Sequence, residues 1–277
     1  MIRAVLAVAL AAVVCGAAAA AKPGAWVHVV EHKDSGRVDA VLTVERQRTS
    51  YGVYDYRKLH LRVILDGKAV FDQGLCSAND CGIATHHTLS VRNVWGDSVP
   101  EVLLDTYSGG AHCCFGTYVV FLDGARAGRS VFQLWGDPGY RLETHAGKTA
   151  FVSADDRFAY EFTSFAGSGL PIHVLSLDPN GAFQNVTKAW PDLIRADAKQ
   201  WWKAYVSQRG KPYADVRGVV GAWCADEYLL GRGRACERAL TSALAKGYLK
   251  GPTIWPENAK FVALLHKQLD KWGYSSN

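Results

Sequence analysis

The hydrophobic period of this 277-residue chain changes once, near Pro191, and that change confines it to a segregated α+β design. Upstream, apolar runs at 38–44, 59–65, 102–104, 118–122 and 172–177 are strand-length and partly alternating. Turn signals separate them: Asp66-Gly67, Asp123-Gly124, Gly136-Asp137-Pro138-Gly139 and Asp178-Pro179-Asn180-Gly181. Downstream, apolar residues recur at helical spacing. Ile194, Ala198, Trp201 and Tyr205 share a face, as do Val216, Val220 and Trp223. Cys236, Leu240, Ala243 and Leu244 form a third stripe, and Phe261, Leu264, Leu265, Gln268 and Trp272 a fourth. Pro191 and Pro256 sit where helix starts tolerate proline. Breaks at Gly210-Lys211-Pro212, Gly231-Arg232-Gly233-Arg234 and Gly251-Pro252 divide the stretch into four helices. The pattern predicts an antiparallel β-rich domain over 22–187 and a C-terminal four-helix region over 188–277.

The N-terminus points to a compartment. Arg3 precedes an apolar run over 4–14 and an alanine tract ending at Ala21, the layout of a secretory signal peptide over 1–21. The run is too short for a spanning helix of about 20 apolar residues, and no later stretch is apolar enough to cross. Cys15 follows Val14, where an acylated lipoprotein cysteine would need a small residue. The expected location is therefore periplasmic or secreted, without stable membrane insertion. Losing the leader removes one base and no acid, which takes the formal net charge from +5 to +4. That balance is too mild for nucleic acid, and the basic pairs read as solvated turns.

Seven cysteines minus Cys15 leave six, an even number in an oxidising compartment, which favours disulfides. Cys224 and Cys236 flank the turn between two helical patterns and are paired on that ground. The other four admit two arrangements. Either Cys76 and Cys81 close a local ring and Cys113 joins Cys114, or two bridges tie the 76/81 loop to the 113/114 corner.

The densest chemistry lies in residues 101–116, EVLLDTYSGGAHCCFG. Ser108, Gly109, Gly110, His112, Cys113 and Cys114 form the candidate functional corner. A Cys–His nucleophile requires the thiolate beside the imidazole. On an extended strand adjacent residues face opposite ways, so His112 pairs by face with Cys114 and not with Cys113. A soft-metal site would add His86, His87, Cys76 and Cys81, yet no pair has C-x2-C spacing. A vicinal disulfide that switches redox state is a further use of the pair. A disulfide-stapled turn after Gly109-Gly110 accounts for the same residues without catalysis. The chain has no G-x-S-x-G or H-E-x-x-H motif. Gly147-Lys148-Thr149 lacks the upstream glycine of a phosphate loop and reads as a turn. Asp155-Asp156 reads as an Asx turn. Among nine tryptophans, Trp201, Trp223 and Trp272 fall on apolar stripes, while Trp26, Trp95 and Trp202 are the surface candidates for stacking on a sugar.

The segment VRNVWGDSVPEVLLDTYSGGAHCC resembles a unit of secreted bacterial proteins related to FG-GAP/VCBS repeats, in which an Asp-rich calcium loop precedes a "PEVLL" strand. A second unit, through AFVSADDRFAYEFTSFAGS, resembles its partner element, so the likeness covers about residues 88–205. The resemblance implies open propeller-blade-like sheets or a sandwich, covered by helices or by self-association, because two blades cannot close a propeller. The loops depart from the family pattern. The first offers Asn93, Trp95, Asp97 and Ser98, and the second Leu142, Thr144, Ala146 and Gly147. Calcium takes six to eight oxygens, so both loops are expected to have lost it, with Asn93 and Asp97 the residual metal candidates.

The sequence thus points to a non-catalytic extracytoplasmic binding or structural protein without a cofactor, whose partner is an envelope protein or a glycan. One alternative is a thiol, redox or Cys–His enzyme centred on His112-Cys113-Cys114. The other comes from the helical region around Cys224 and Cys236, which is similar to small periplasmic helical inhibitors of lysozyme-type enzymes, and implies a tail that inhibits a cell-wall hydrolase.

Overall fold

The computed structural model describes residues 24–52, 54–75, 86–96, 99–110, 112–145, 147–252 and 254–275, with backbone alone at 86–87, 108–110 and 113. The leader, Cys76, Cys81, Asp97 and Ser98 lie outside the described residues.

Among the described residues, twelve strands form three antiparallel sheets, each a four-stranded meander in chain order. The first contains β1 (Val27–Ser35), β2 (Val38–Arg48), β3 (Tyr54–Leu65) and β4 (Lys68–Gly74). The second contains β5 (His86–Arg92), β6 (Glu101–Gly110), β7 (Cys113–Val120) and β8 (Ser130–Gly136). The third contains β9 (Arg141–His145), β10 (Lys148–Ala154), β11 (Ile172–Leu177) and β12 (Phe183–Asn185). The β3–β4 hairpin shows how sequence sets register. Asp66 and Gly67 both adopt positive φ, 49° and 77°, which places Leu65 opposite Lys68 in a two-residue primed turn.

The sheets stack face to face, and the strand sequences encode it. Val102 and Leu104 of β6 join the cluster of Leu42, Leu61 and Val63 from the first sheet. Leu103, between them, joins Phe151 and Leu175 of the third. On β7, Val120 serves the first interface and Val119 the second. A middle sheet covered on both faces needs unbroken apolar runs, and VLL and VVFL supply them. The third sheet turns its other face, Ala150, Val152, Ile172 and Val174, toward Ile194 of the first helix.

That helix, α1 (Pro191–Gln208), opens with Pro191 in its first turn. It is followed by α2 (Arg217–Leu229), α3 (Gly233–Ala245) and α4 (Asn258–Lys271). The expected count of four helices holds, but a one-sided stripe does not describe α2. Residues 217–227 are all buried, because α1, α3, α4 and the 167–168 turn surround it. A Cβ at Gly218 would lie 2.3 Å from the Gly167 carbonyl, so glycine permits that approach. Arg217, fully buried, pairs with Asp215 and donates to the carbonyls of Trp255 and Pro256 at 3.2 and 2.8 Å. Two details differ from the sequence pattern. Leu244 is 38 % exposed, and β7 ends at Val120 although Phe121 and Leu122 stay buried. Among the described residues, no helix is long and apolar enough to cross a membrane.

Candidate functional site

The GGAHCC corner is the far end of the β6–β7 hairpin, closed by Gly110 opposite Cys113 after a register shift. Both cysteines therefore belong to the start of β7 and not to the turn. Cys114 is disulfide-bonded, and so holds no free thiolate. His112 is exposed and stacks on Phe165 at 3.9 Å, with Tyr160 edge-on at 6.1 Å. No carboxylate among the described residues orients its imidazole. What the corner does in this structure is dock an aromatic ring on the segment that carries the chain from β10 to β11.

Phe165 also lines the larger of two adjoining cavities, about 710 Å³, between the third sheet and α1. Trp201 and Tyr140 add rings, while Asp137, Arg141, Asp197 and Gln200 add polar groups. The smaller cavity, about 280 Å³, lies at the seam of the second and third sheets and is lined by Asp105, Phe115, Thr117 and Trp135. Pro138 and Tyr140 belong to both, so the Gly136-to-Gly139 turn read from the sequence is the shared wall.

Each cavity contains an acid held by neutral donors. Asp105 Oδ1 accepts from Thr117 Oγ1 at 2.7 Å and from the Tyr140 hydroxyl at 2.8 Å. Thr117 in turn accepts from Trp135 Nε1 at 2.8 Å, so a buried indole orients the relay. Burial raises the Asp105 pKa, and the two hydroxyl donors only partly offset it. The Tyr140 hydroxyl is raised as well, by burial and then by the Asp105 charge. On the α1 side, Asp197 Oδ2 accepts from Ile172 N at 2.8 Å and Trp201 Nε1 at 3.0 Å, which clamps the helix to β11. Burial raises Asp197 as well. Behind it Asp226 is fully buried, and its carboxyl faces that of Asp197. Burial first, and then the charge of Asp197, push its pKa up to about 10, so it is a neutral acid at pH 7.

Asp155 has the opposite balance. Burial works to raise it, but Arg157 at 2.5 Å and the Tyr274 hydroxyl at 2.8 Å outweigh that and hold it below the usual range. It also accepts from Arg157 N, the Asx turn expected at this position, and anchors the C-terminal Tyr274 to the end of β10. Asp156 instead accepts from Asp137 N at 3.3 Å. Neither of the pair acts as a partner carboxylate to the other.

In the 93–96 segment, expected from the sequence to be a degenerate calcium loop, the described polar groups bond within the protein. Asn93 Oδ1 accepts from Gly96 N at 2.6 Å, and Glu101 Oε2 accepts from Val94 N and Trp95 N at 3.0 and 3.2 Å. Among the described residues no cluster of three or more His, Cys, Asp or Glu is placed to hold a metal.

The tryptophans divide between the helical core, the cavity wall and the surface. Trp201 packs against the helical core, as its stripe implies, and also lines the larger cavity. Trp26 and Trp95, read as open faces, are covered by Arg57 at 3.9 Å and Arg126 at 4.4 Å. Trp202, 36 % exposed, lies against Trp223 with centroids 4.4 Å apart. The pairing of Cys224 with Cys236 is present as read from the sequence. The sequence did not single out Asp105, Tyr140, Asp197 or Asp226. An aspartate at the end of the buried VLL run and another beside Cys224-Ala225 were the available signals.

Over 132 residues the chain is 29 % identical to a protein of Synechocystis sp. described as a probable thylakoid lumen protein. The match covers 40 % of this chain and 39 % of that protein, so the chain spans about two fifths of this relative's length. No family model matches the chain, and no solved structure matches it.

Proposed function

We propose that the chain is a non-catalytic extracytoplasmic binding protein whose larger cavity receives a glycan. The leader pattern, the Cys224–Cys236 disulfide and the lumenal description of the relative all support the compartment. The three stacked four-stranded meanders support the blade-like reading of the β region, with α1 and α2 covering the outer face of the third sheet.

The observation that carries the ligand class is the composition of the 710 Å³ cavity. The rings of Trp201, Tyr140 and Phe165 share it with Arg141, Gln200 and Asp197. Sugars offer apolar C–H faces to rings and hydroxyls to planar polar groups, so a wall of this mixture fits a polyhydroxylated ligand. Arg141 and Gln200 are exposed, which leaves their heads accessible from solvent.

The test is calorimetric titration of the mature protein with N-acetylglucosamine and glucose oligomers. Saturable binding that Gln200→Ala weakens about tenfold supports the reading, since that loss corresponds to roughly one good hydrogen bond. Absence of binding to every oligomer, or binding indifferent to Gln200→Ala and Arg141→Ala, removes it. Both side chains are solvent-facing, so the variants keep the fold.

A further inference from the structure

We propose that the smaller cavity is a subsite for a compact organic cation, an ammonium group held between Asp105 and the rings of Phe115, Trp135 and Tyr140. The inference goes beyond the glycan reading and concerns a separate cavity that shares only Pro138 and Tyr140 with the larger one.

The first ground is an uncompensated charge. Asp105 is half-buried, and both of its hydrogen bonds come from neutral hydroxyls to one oxygen, Oδ1. Among the described residues no Lys, Arg or His forms an ion pair with it, and Oδ2 accepts no hydrogen bond. Proteins rarely bury carboxylate charge without a cation partner, because desolvation then goes unrepaid. The charge of Arg92 reaches the Tyr140 hydroxyl, while Asp105 is influenced by burial and by its two hydroxyl donors.

The second ground is the wall. Trp135 and Tyr140 lie 4.9 Å apart, tilted, and Phe115 faces the same space. Aromatic faces carry negative charge density and attract an ammonium group within about 6 Å of the ring centre. Thr117, polarised by the Trp135 N–H, directs its own hydrogen to Asp105 and so fixes the carboxylate plane. The space of about 280 Å³ is below the roughly 300–1,000 Å³ of drug-sized sites. It suits a cationic head group and excludes a polymer backbone.

The experiment titrates choline, and its uncharged carbon isostere 3,3-dimethylbutan-1-ol, into the mature protein at constant ionic strength. Choline is expected to bind saturably and at least about tenfold more tightly than the isostere. Asp105→Asn is expected to abolish that preference. On the wild type the choline preference should fall as pH drops through the raised pKa of Asp105, which keeps the test open if the variant fails to fold. Equal affinity for the two probes, no saturable choline binding, or a preference that survives both Asp105→Asn and low pH overturns the proposal. A protein that binds oligomers but treats the two probes alike loses this subsite and keeps the cleft. One that selects choline but ignores oligomers does the reverse.

Discussion

The Tyr140 hydroxyl donates to Asp105 Oδ1 at 2.8 Å, joining the residue just before β9 to the middle of β6 and fixing the wall that both cavities share. Its loss should be measurable without disturbing packing. Tyr140→Phe keeps the ring against Trp135 and Phe151 and removes one donor from a half-buried carboxylate. Chemical denaturation should show a loss of about 1.5–3 kcal/mol, the range for hydrogen bonds to charged groups. An unchanged midpoint would mean that water replaces the hydroxyl at no cost.

Stability should fall toward alkaline pH because of Asp226. Its folded pKa is raised to about 10, so its contribution is present in full below the ordinary Asp pKa of about 4. It is then lost progressively as pH rises toward the folded value, by up to about 1.4 kcal/mol per pH unit. Asp197, Glu227 and Tyr274 are the titratable groups that bear on it. Asp226→Asn should flatten the decline between pH 6 and 9 in urea titrations, and an equal slope in the variant would contradict the assignment.

Tyr274 secures the C-terminus. It is 6 % exposed, packs edge-on to Phe158 with centroids 5.6 Å apart and donates to Asp155 at 2.8 Å. Tyr274→Phe should cost about 1–2 kcal/mol and Tyr274→Ala about 3–5 kcal/mol. Asp155, held below its usual range, contributes stability above the ordinary Asp pKa, lost as pH falls through the folded value. Tyr274→Phe should therefore move the acid unfolding midpoint upward.

Gly136 has φ 74°, and a Cβ there would lie 2.0 Å from Asp156 Cγ. Gly136→Ala should cost about 2–4 kcal/mol from backbone strain and overlap together. Adding Asp156→Ala should recover the overlap and leave a residual of about 1 kcal/mol from φ, which a double-mutant cycle measures.

The Cys224–Cys236 bridge spans 12 residues across the α2–α3 turn. Replacing both cysteines with alanine should lower stability by about 3 kcal/mol on the chain-entropy estimate. Non-reducing peptide mapping of the same protein identifies the partner of Cys114, which decides between the two arrangements left open for the 76/81 and 113/114 cysteines.

The sequence by itself determined the local structure. Alternation, Asp66-Gly67 and the helical stripes are short-range signals, and they place the change of class at Pro191 and the strand at 172–177. The helical cysteine pair was legible because its partners lie within one turn-connected hairpin. Only the tertiary structure decided how many sheets there are, which faces they bury and where the cavities fall. Residues 24–75 carry no family motif, yet they build a complete first sheet. Helical periodicity placed Trp201 against the helical core, but it could not report that the same ring also lines a cavity. Asp105 with Tyr140, Asp197 with Asp226 and Asp155 with Tyr274 are separated by 29 to 119 residues. Pairs so distant in sequence have no periodicity in common, and stacking of sheet on sheet and helix is what makes them neighbours and shifts their protons.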